Sequence, residues 1–190
     1  MARPAAGTAR RRSRAQGPQS RQQLWVALGI PADYARMRCL PVQREAKQLS
    51  TVGRNADGRP VRLAPAAAAA WRRMREAAER DGVHLRLVSG FRSVTRQARI
   101  IRRKLAAGGR IGDILRFVAA PGCSEHQTGR ALDLGSPAGA DLDENFARTR
   151  EYRWLCRRAG EFGFRLSYAR RNPHGIGFEP WHWCWHRGRR

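Results

Sequence analysis

The 190-residue sequence has few acidic residues, few cysteines and almost no lysine. It contains 15 Asp and Glu against 38 Lys and Arg, and only Lys47 and Lys104 are lysines. Four cysteines are too few for a small fold held together by disulfides. No stretch approaches the roughly 20 apolar residues of a transmembrane helix, so no such helix is predicted. With 42% hydrophobic residues, the expected class is one globular domain that buries a core.

The formal net charge of +23 does not by itself identify a ligand. Basic residues are spread along the chain, and nearly all of them are Arg. A cationic surface attracts any polyanion, such as nucleic acid, anionic lipid or an acidic cell-wall polymer. We therefore expect non-specific attraction to polyanions and no specific nucleic-acid partner.

Residues 1–21 are predicted to be a disordered basic tail, since they are rich in Arg, Ala, Gly, Pro, Ser and Gln. Residues 22–190 are predicted to form the domain, with the motif-bearing core at 63–186. A secretory signal needs an apolar run of about 7 to 15 residues behind a basic start, and none follows Arg12. The missing signal favours the cytoplasm by sequence alone, but the compartment and the export route stay open, and we expect the chain to be a monomer.

Apolar spacing predicts helices over residues 63–80, 94–106, 111–118 and 145–159. Strands are predicted at residues 83–88, 130–134, 162–167 and 178–185. In the first helix Trp71, Met74 and Ala78 form one apolar stripe, which is typical of ordinary core. Helices that flank a small set of late strands indicate an α+β fold rather than a regular βαβ alternation.

An acidic residue, Asp133, lies inside the apolar strand 131–134. An unpaired carboxylate buried there would cost several kcal/mol. Taken alone, Asp133 is more often a strand-end residue that caps a turn with Gly135. His126 stands seven residues earlier, and a turn at Gly129 can bring its imidazole to Asp133, where the pair would suit Zn²⁺.

The second unusual segment is residues 178–185, where strict alternation places three tryptophans on one face of a strand. His182 and Cys184 then share the other face, and a single His there is commonly a core residue. Glu179 would face away from His182 unless the chain bends at Pro180. A Glu beside a bound metal is what activation of water requires.

Arg92 follows the strand 83–88 in the segment Ser-Gly-Phe-Arg-Ser, residues 89–93. An Arg at a strand end can hold a carboxylate or a developing oxyanion, although the signal is weak in an Arg-rich chain. Together His126, Asp133 and His182 make a three-ligand set with an open fourth position, the pattern of catalytic zinc.

These motifs also resemble a known family. The segments 89–93 (SGFRS), 124–134 (SEHQTGRALDL), 152–155 (YRWL), 163–168 (GFRLSY) and 179–183 (EPWHW) follow one another as in the VanY-like zinc D-alanyl-D-alanine carboxypeptidases. Those enzymes are related to the VanX-type dipeptidases and to phage cell-wall endopeptidases. The resemblance covers residues 63–186.

The resemblance implies a hedgehog/D-Ala-D-Ala-peptidase-like fold, with a small antiparallel sheet flanked by helices and one Zn²⁺. It implies that His126, Asp133 and His182 bind the metal, that Glu179 is the general base and that Arg92 stabilises the oxyanion. Substrate-binding positions are implied for Ser93, Gln97 and Ser124. The implied reaction is removal of the terminal D-alanine from a peptidoglycan stem peptide or precursor by a zinc-activated water, which points to the cell envelope.

Three alternatives remain at this point. The same site can serve a cell-wall L,D- or D,D-endopeptidase, or a D-Ala-D-Ala dipeptidase. The chain can also be a non-catalytic, zinc-bearing module that binds cell wall or nucleic acid. Cys123 and Cys184 are unexpected in the family; we interpret them as buried thiols rather than as a disulfide or as zinc ligands. His186 is expected to be a tail residue and not a ligand.

Overall fold

A computed structural model describes residues 20–139 and 141–187, and residues 1–19 of the predicted tail lie outside this range. The helices are α1 (Arg21–Ala27), α2 (Tyr34–Met37), α3 (Pro65–Arg80), α4 (Val94–Ala106), α5 (Ile111–Ile114) and α6 (Arg150–Arg158). The strands are β1 (Ser50–Arg54), β2 (Pro60–Leu63), β3 (Arg86–Ser89), β4 (Ala131–Gly135), β5 (Phe164–Leu166) and β6 (His182–Trp185). Short 3₁₀ helices cover Glu125–Thr128, Glu144–Arg148 and Ala159–Phe162.

The start of α1 overlaps the end of the predicted tail, residues 1–21. Ser20 accepts a hydrogen bond from the Gln23 backbone, and the Gln23 side chain accepts one from the Ser20 backbone. This reciprocal capping box satisfies two otherwise unpaired N–H groups at the start of α1. Arg21 is therefore the first residue of α1, so Ser20 and Arg21, which the sequence analysis assigned to the tail, belong to a capped helix.

Two antiparallel sheets are formed within the described residues. Strands β1 and β2 make a hairpin that the sequence analysis did not predict, because Gly53 and Pro60 weaken the strand pattern. The other sheet has four strands in the order β3-β4-β6-β5, and every neighbouring pair is antiparallel. Helices flank these strands, so the predicted α+β class with a small antiparallel sheet is confirmed.

Several predicted elements have different bounds in the structure. The helix predicted over 145–159 is a 3₁₀ helix followed by α6, because Thr149 is extended and its side chain caps α6 at the Tyr152 backbone. The strand predicted over 178–185 begins only at His182, since the preceding residues form a turn in which His182 N–H bonds the Glu179 carbonyl at 3.0 Å. Helix α5 ends at Ile114, four residues before its predicted end.

The two faces of the four-stranded sheet have different roles. Leu132, Leu134 and Trp183 belong to a core with residues of α3 and α6, including Trp71 and Trp154. A second buried cluster packs α1 against α4 and α5. The other face of β4 and β6 carries the polar residues and looks toward a cavity. No helix within the described ranges is both long enough and apolar enough to cross a bilayer.

Candidate active site

Asp133 stands at the centre of the site because of the strand register. Its position in β4 pairs with His182 on β6 and with Ser89 at the end of β3. Only 3% of Asp133 is exposed, although its neighbours in sequence are apolar core residues. The sheet thus holds one carboxylate at a fixed point, with a histidine directly opposite on the next strand.

His126 reaches Asp133 from the 3₁₀ helix that precedes β4. Its Nε2 lies 3.1 Å from Asp133 Oδ2, and its Nδ1 lies 2.7 Å from the Gly90 carbonyl oxygen. A carbonyl only accepts, so Nδ1 carries the hydrogen and Nε2 offers a lone pair. Position 90 requires glycine, because a Cβ there would clash with the Arg62 carbonyl oxygen at 2.7 Å.

His182 approaches the same carboxylate from the other side. Its Nδ1 lies 3.1 Å from Asp133 Oδ1, and its Nε2 lies 2.9 Å from Glu125 Oε2. Ser167 donates a hydrogen bond of 2.6 Å to that Glu125 oxygen. Glu125 thus orients the ring, and Nδ1 is the nitrogen left to bind a metal.

Burial and close charges set the protonation of these groups. Burial opposes ionisation of Asp133, but its contacts to both histidines outweigh this and hold its pKa well below the usual range. Burial likewise disfavours the charged form of His182, yet in the metal-free site its bonds to Asp133 and Glu125 raise its pKa to about 10, so a metal that binds Nδ1 displaces a proton from it. Burial lowers the pKa of His126, so that imidazole is neutral.

The three donor groups fit a metal ion of the zinc type. One ligand atom from each of His126, Asp133 and His182 lies within 4.8 Å of the others. Two imidazoles and a carboxylate are zinc donors, and three protein ligands leave a position for water or substrate. Each imidazole also has its second nitrogen bonded to an oxygen, the outer arrangement typical of metal-binding histidines.

Glu179 lies beside these donors but farther away. The turn before β6 places its Oε2 at 3.9 Å from His182 Nδ1. The chain thus bends at Pro180 and brings the two side chains together. Burial raises the pKa of Glu179 to about 7, with the negative charges of Asp133 and Glu125 adding to the effect. The carboxyl group is therefore poised to exchange a proton near neutral pH.

Arg92 is held over the site by three side chains. Its guanidinium donates to Gln97 Oε1 at 3.1 Å and to Ser89 Oγ at 3.3 Å, and it lies 3.5 Å from Asp133 Oδ2. Gln97 is itself fixed, because its Nε2 donates to the Ala119 carbonyl at 2.7 Å. The cation thus has a defined position next to the metal-binding group.

These residues open into one cavity of about 570 Å³. Seven of the eight predicted site residues line it: Arg92, Gln97, Ser124, His126, Asp133, Glu179 and His182. Ser93 does not line it; its hydroxyl instead accepts a hydrogen bond from the Arg96 backbone and caps α4. The structure therefore brings together all the predicted residues except Ser93.

Comparison with known proteins identifies the family. The profile of the VanY D-alanyl-D-alanine carboxypeptidases matches residues 60–188. This chain belongs to the VanY family. The resemblance noted from the motifs is thereby confirmed, and it extends slightly beyond both ends of the motif-bearing core.

Curated relatives agree with the assignment to the VanY family. The chain is 38% identical over 120 residues to YodJ of Bacillus subtilis, whose carboxypeptidase name is provisional, covering 61% of this chain and 43% of YodJ. It is 35% identical to VanXYC of Enterococcus gallinarum, a bifunctional D-Ala-D-Ala dipeptidase and carboxypeptidase, covering 64% and 66% of the two chains. The chain thus spans less than two thirds of the length of these relatives.

Solved structures of VanY-like enzymes show the same fold. The LdcB LD-carboxypeptidase matches with a TM-score of 0.68 at 30% identity, covering 76% of this chain and 71% of LdcB. A VanY D,D-pentapeptidase variant in complex with Zn(II) matches at 0.60 and 29%, covering 77% and 82%. VanYB in complex with D-alanine-D-alanine matches at 0.59 and 28%, covering 76% and 80%.

The sequence analysis missed two residues of the candidate site. Glu125 orients His182, and the only sequence signal for it was its position next to His126. Tyr168 lines the cavity, and its ring centroid lies 4.8 Å from that of His182. Its signal was its place in the 163–168 segment, which was read only as a family motif.

The cysteines are unpaired and lie in separate parts of the VanY-family domain. Cys123 is buried in the cluster around α1, α4 and α5. Cys184 is buried on β6 near Glu125. The interpretation of both as buried thiols rather than a disulfide holds, and neither belongs to the donor group around Asp133.

Proposed function

We propose that this chain is a zinc-dependent D-alanyl-D-alanine carboxypeptidase that releases the terminal D-alanine of a peptidoglycan stem peptide or precursor. The observation that carries the proposal is the placement of Glu179 and Arg92 beside three metal donors in one cavity. The Zn(II) and D-alanine-D-alanine found in VanY-family structures support the choice of metal and substrate.

The metal would be held by His126 Nε2, Asp133 and His182 Nδ1. When bound there, zinc supplies a Lewis acid that polarises the scissile carbonyl and makes water more acidic. Glu179 removes the proton from the attacking water and then delivers it to the leaving amine of D-alanine. In the metal-free site, burial raises the pKa of this carboxyl to about 7.

Arg92 stabilises the negative charge that develops on the carbonyl oxygen. A guanidinium has five N–H donors, so its bonds to Gln97 and Ser89 leave others for the substrate. Those two bonds fix the group before substrate arrives, which is the condition for effective oxyanion stabilisation. Ser124 and Gln97 are proposed to contact the substrate because they line the same cavity.

Metal analysis together with digestion of a defined stem pentapeptide tests the proposal. We expect about one zinc per chain and release of D-alanine. Glu179→Gln is expected to keep its zinc and to lose about 10²- to 10⁴-fold in kcat, the usual contribution of a general base. The exposed Glu76→Gln is the matched control. Normal kcat in a zinc-loaded Glu179→Gln protein contradicts the role of Glu179.

A second candidate reaction is L,D-carboxypeptidase activity on a stem tetrapeptide. It is favoured by the LdcB LD-carboxypeptidase structure, whose TM-score is the highest of the three solved structures described above. Mass spectrometry of products from matched tetrapeptide and pentapeptide substrates separates the two reactions. The same assay detects endopeptidase or dipeptidase products. A non-catalytic module has no need for Glu179 and Arg92 beside the metal donors.

A further inference from the structure

A second group of side chains of the types that bind metals lies on the polar side of β6, next to the site around Asp133 and sharing Glu125 with it. Cys184 follows His182 at the next position on the same face, and His186 continues this alternation just beyond the strand. Glu125 reaches them from the 3₁₀ helix. One donor atom from each of Glu125, Cys184 and His186 lies within 4.8 Å of the others.

The backbone fixes two of these residues firmly. Cys184 pairs with Ala131 on β4 and with Arg165 on β5, and its side chain is fully buried. The backbone N–H of His186 donates to the Gly163 carbonyl at 2.8 Å, which holds His186 beside the start of β5. Glu125 and His186 are half-buried, so a small ion can reach the group from solvent.

The donor types select the ligand class. A thiolate, an imidazole and a carboxylate together suit a borderline or soft divalent cation such as Zn²⁺ or Co²⁺, and they suit Mg²⁺ or Ca²⁺ poorly. Two negatively charged donors offset the charge of the dication. The positive charges of Arg130 and Arg165 act on His186, so we expect weaker binding here than at Asp133.

We propose that Glu125, Cys184 and His186 form a second site for a zinc-type dication. On binding, the metal–sulfur bond replaces the S–H bond of Cys184, and the proton passes to solvent without any change of oxidation state. Glu125 connects the two sites, because its Oε2 is 2.9 Å from His182 Nε2. A cation that binds Glu125 weakens the hydrogen bond that orients His182. Excess zinc is therefore expected to inhibit the proposed carboxypeptidase reaction.

Cobalt binding to the zinc-loaded full chain tests the second site without using activity. We expect excess Co²⁺ to give an intense near-ultraviolet thiolate-to-cobalt band and total metal to reach about two ions per chain. Cys184→Ser should abolish the band and reduce total metal to about one ion. Cys39→Ser, which removes an exposed thiol elsewhere, is the matched control and should change neither.

His186→Gln keeps the buried thiol and protects the test against misfolding of the Cys184 variant. This substitution is expected to raise the dissociation constant of the second site by about tenfold or more and to leave that of the site around Asp133 unchanged. The proposal is overturned if the wild-type chain saturates at one ion without a thiolate band. It is equally overturned if the band persists in Cys184→Ser, or if His186→Gln binds both ions as the wild type does.

Discussion

The buried carboxyl of Glu179 should make the metal-free protein less stable as the pH rises. Glu179 is 7% exposed, and its pKa in the folded chain is raised to about 7, mainly by burial. Between the unfolded and folded pKa values the folded state holds the proton that the unfolded state has released. Stability therefore falls as pH rises through this window, and Glu179→Gln removes the effect because the amide does not ionise.

The magnitude follows from the size of the pKa shift. A rise from 4.5 to about 7, at about 1.4 kcal/mol per pKa unit, corresponds to about 3 kcal/mol of lost stability above pH 7. Part of this loss is already present at pH 5, so the stabilisation by Glu179→Gln should grow by about 2 to 3 kcal/mol between pH 5 and pH 8. Titrations of other groups are common to both proteins and cancel to first order.

Urea denaturation with a chelator at about pH 5 and about pH 8 measures this difference. With a slope of about 2 kcal/mol per molar urea, the midpoint of Glu179→Gln should gain about 1 M relative to wild type at the higher pH. Glu76→Gln, an exposed change on α3, should show no such pH dependence. An equal difference at both pH values for Glu179→Gln would refute the burial argument.

Three further predictions concern the surroundings of the site. Gly90→Ala should destabilise the protein by about 1 to 3 kcal/mol in urea denaturation, because the new Cβ meets the Arg62 carbonyl at 2.7 Å. Trp154→Phe should cost about 1 to 3 kcal/mol by the same assay and leave zinc content unchanged, since it removes the 2.7 Å bond from the indole N–H to Asp81 and leaves a cavity around a buried core side chain. Arg92→Lys should lower kcat by about 10²- to 10³-fold with zinc retained, which steady-state kinetics and metal analysis can check.

Elements with strong local signals were predictable from the sequence. Helix α4 has its predicted bounds because Ser93 caps its start and Gly108 follows its end. Helix α3 starts two residues after the predicted position, with Pro65 in its first turn. The β1–β2 hairpin was not predictable in the same way, since its short strands contain Gly53 and Pro60 and are fixed mainly by their partners.

The candidate site was predictable where its residues are unusual for their position. Asp133 and Glu179 stand out because carboxylates are rare among apolar neighbours. Glu125 does not stand out, since an acidic residue in a turn is ordinary. Its part in the site depends on Ser167 and His182, which are distant in sequence and meet it only through the folded sheet.

The pairing of β4 with β6 makes the core and the candidate metal donors depend on the same strand register. Leu132 pairs with Trp183 in the core, and the next pair, Asp133 with His182, provides candidate metal donors. A slip of one residue would turn Asp133 into the core, at a cost of several kcal/mol. Backbone amides of these paired residues should therefore exchange with solvent only through opening of the whole sheet, and loss of activity on heating should follow the same rate as global unfolding.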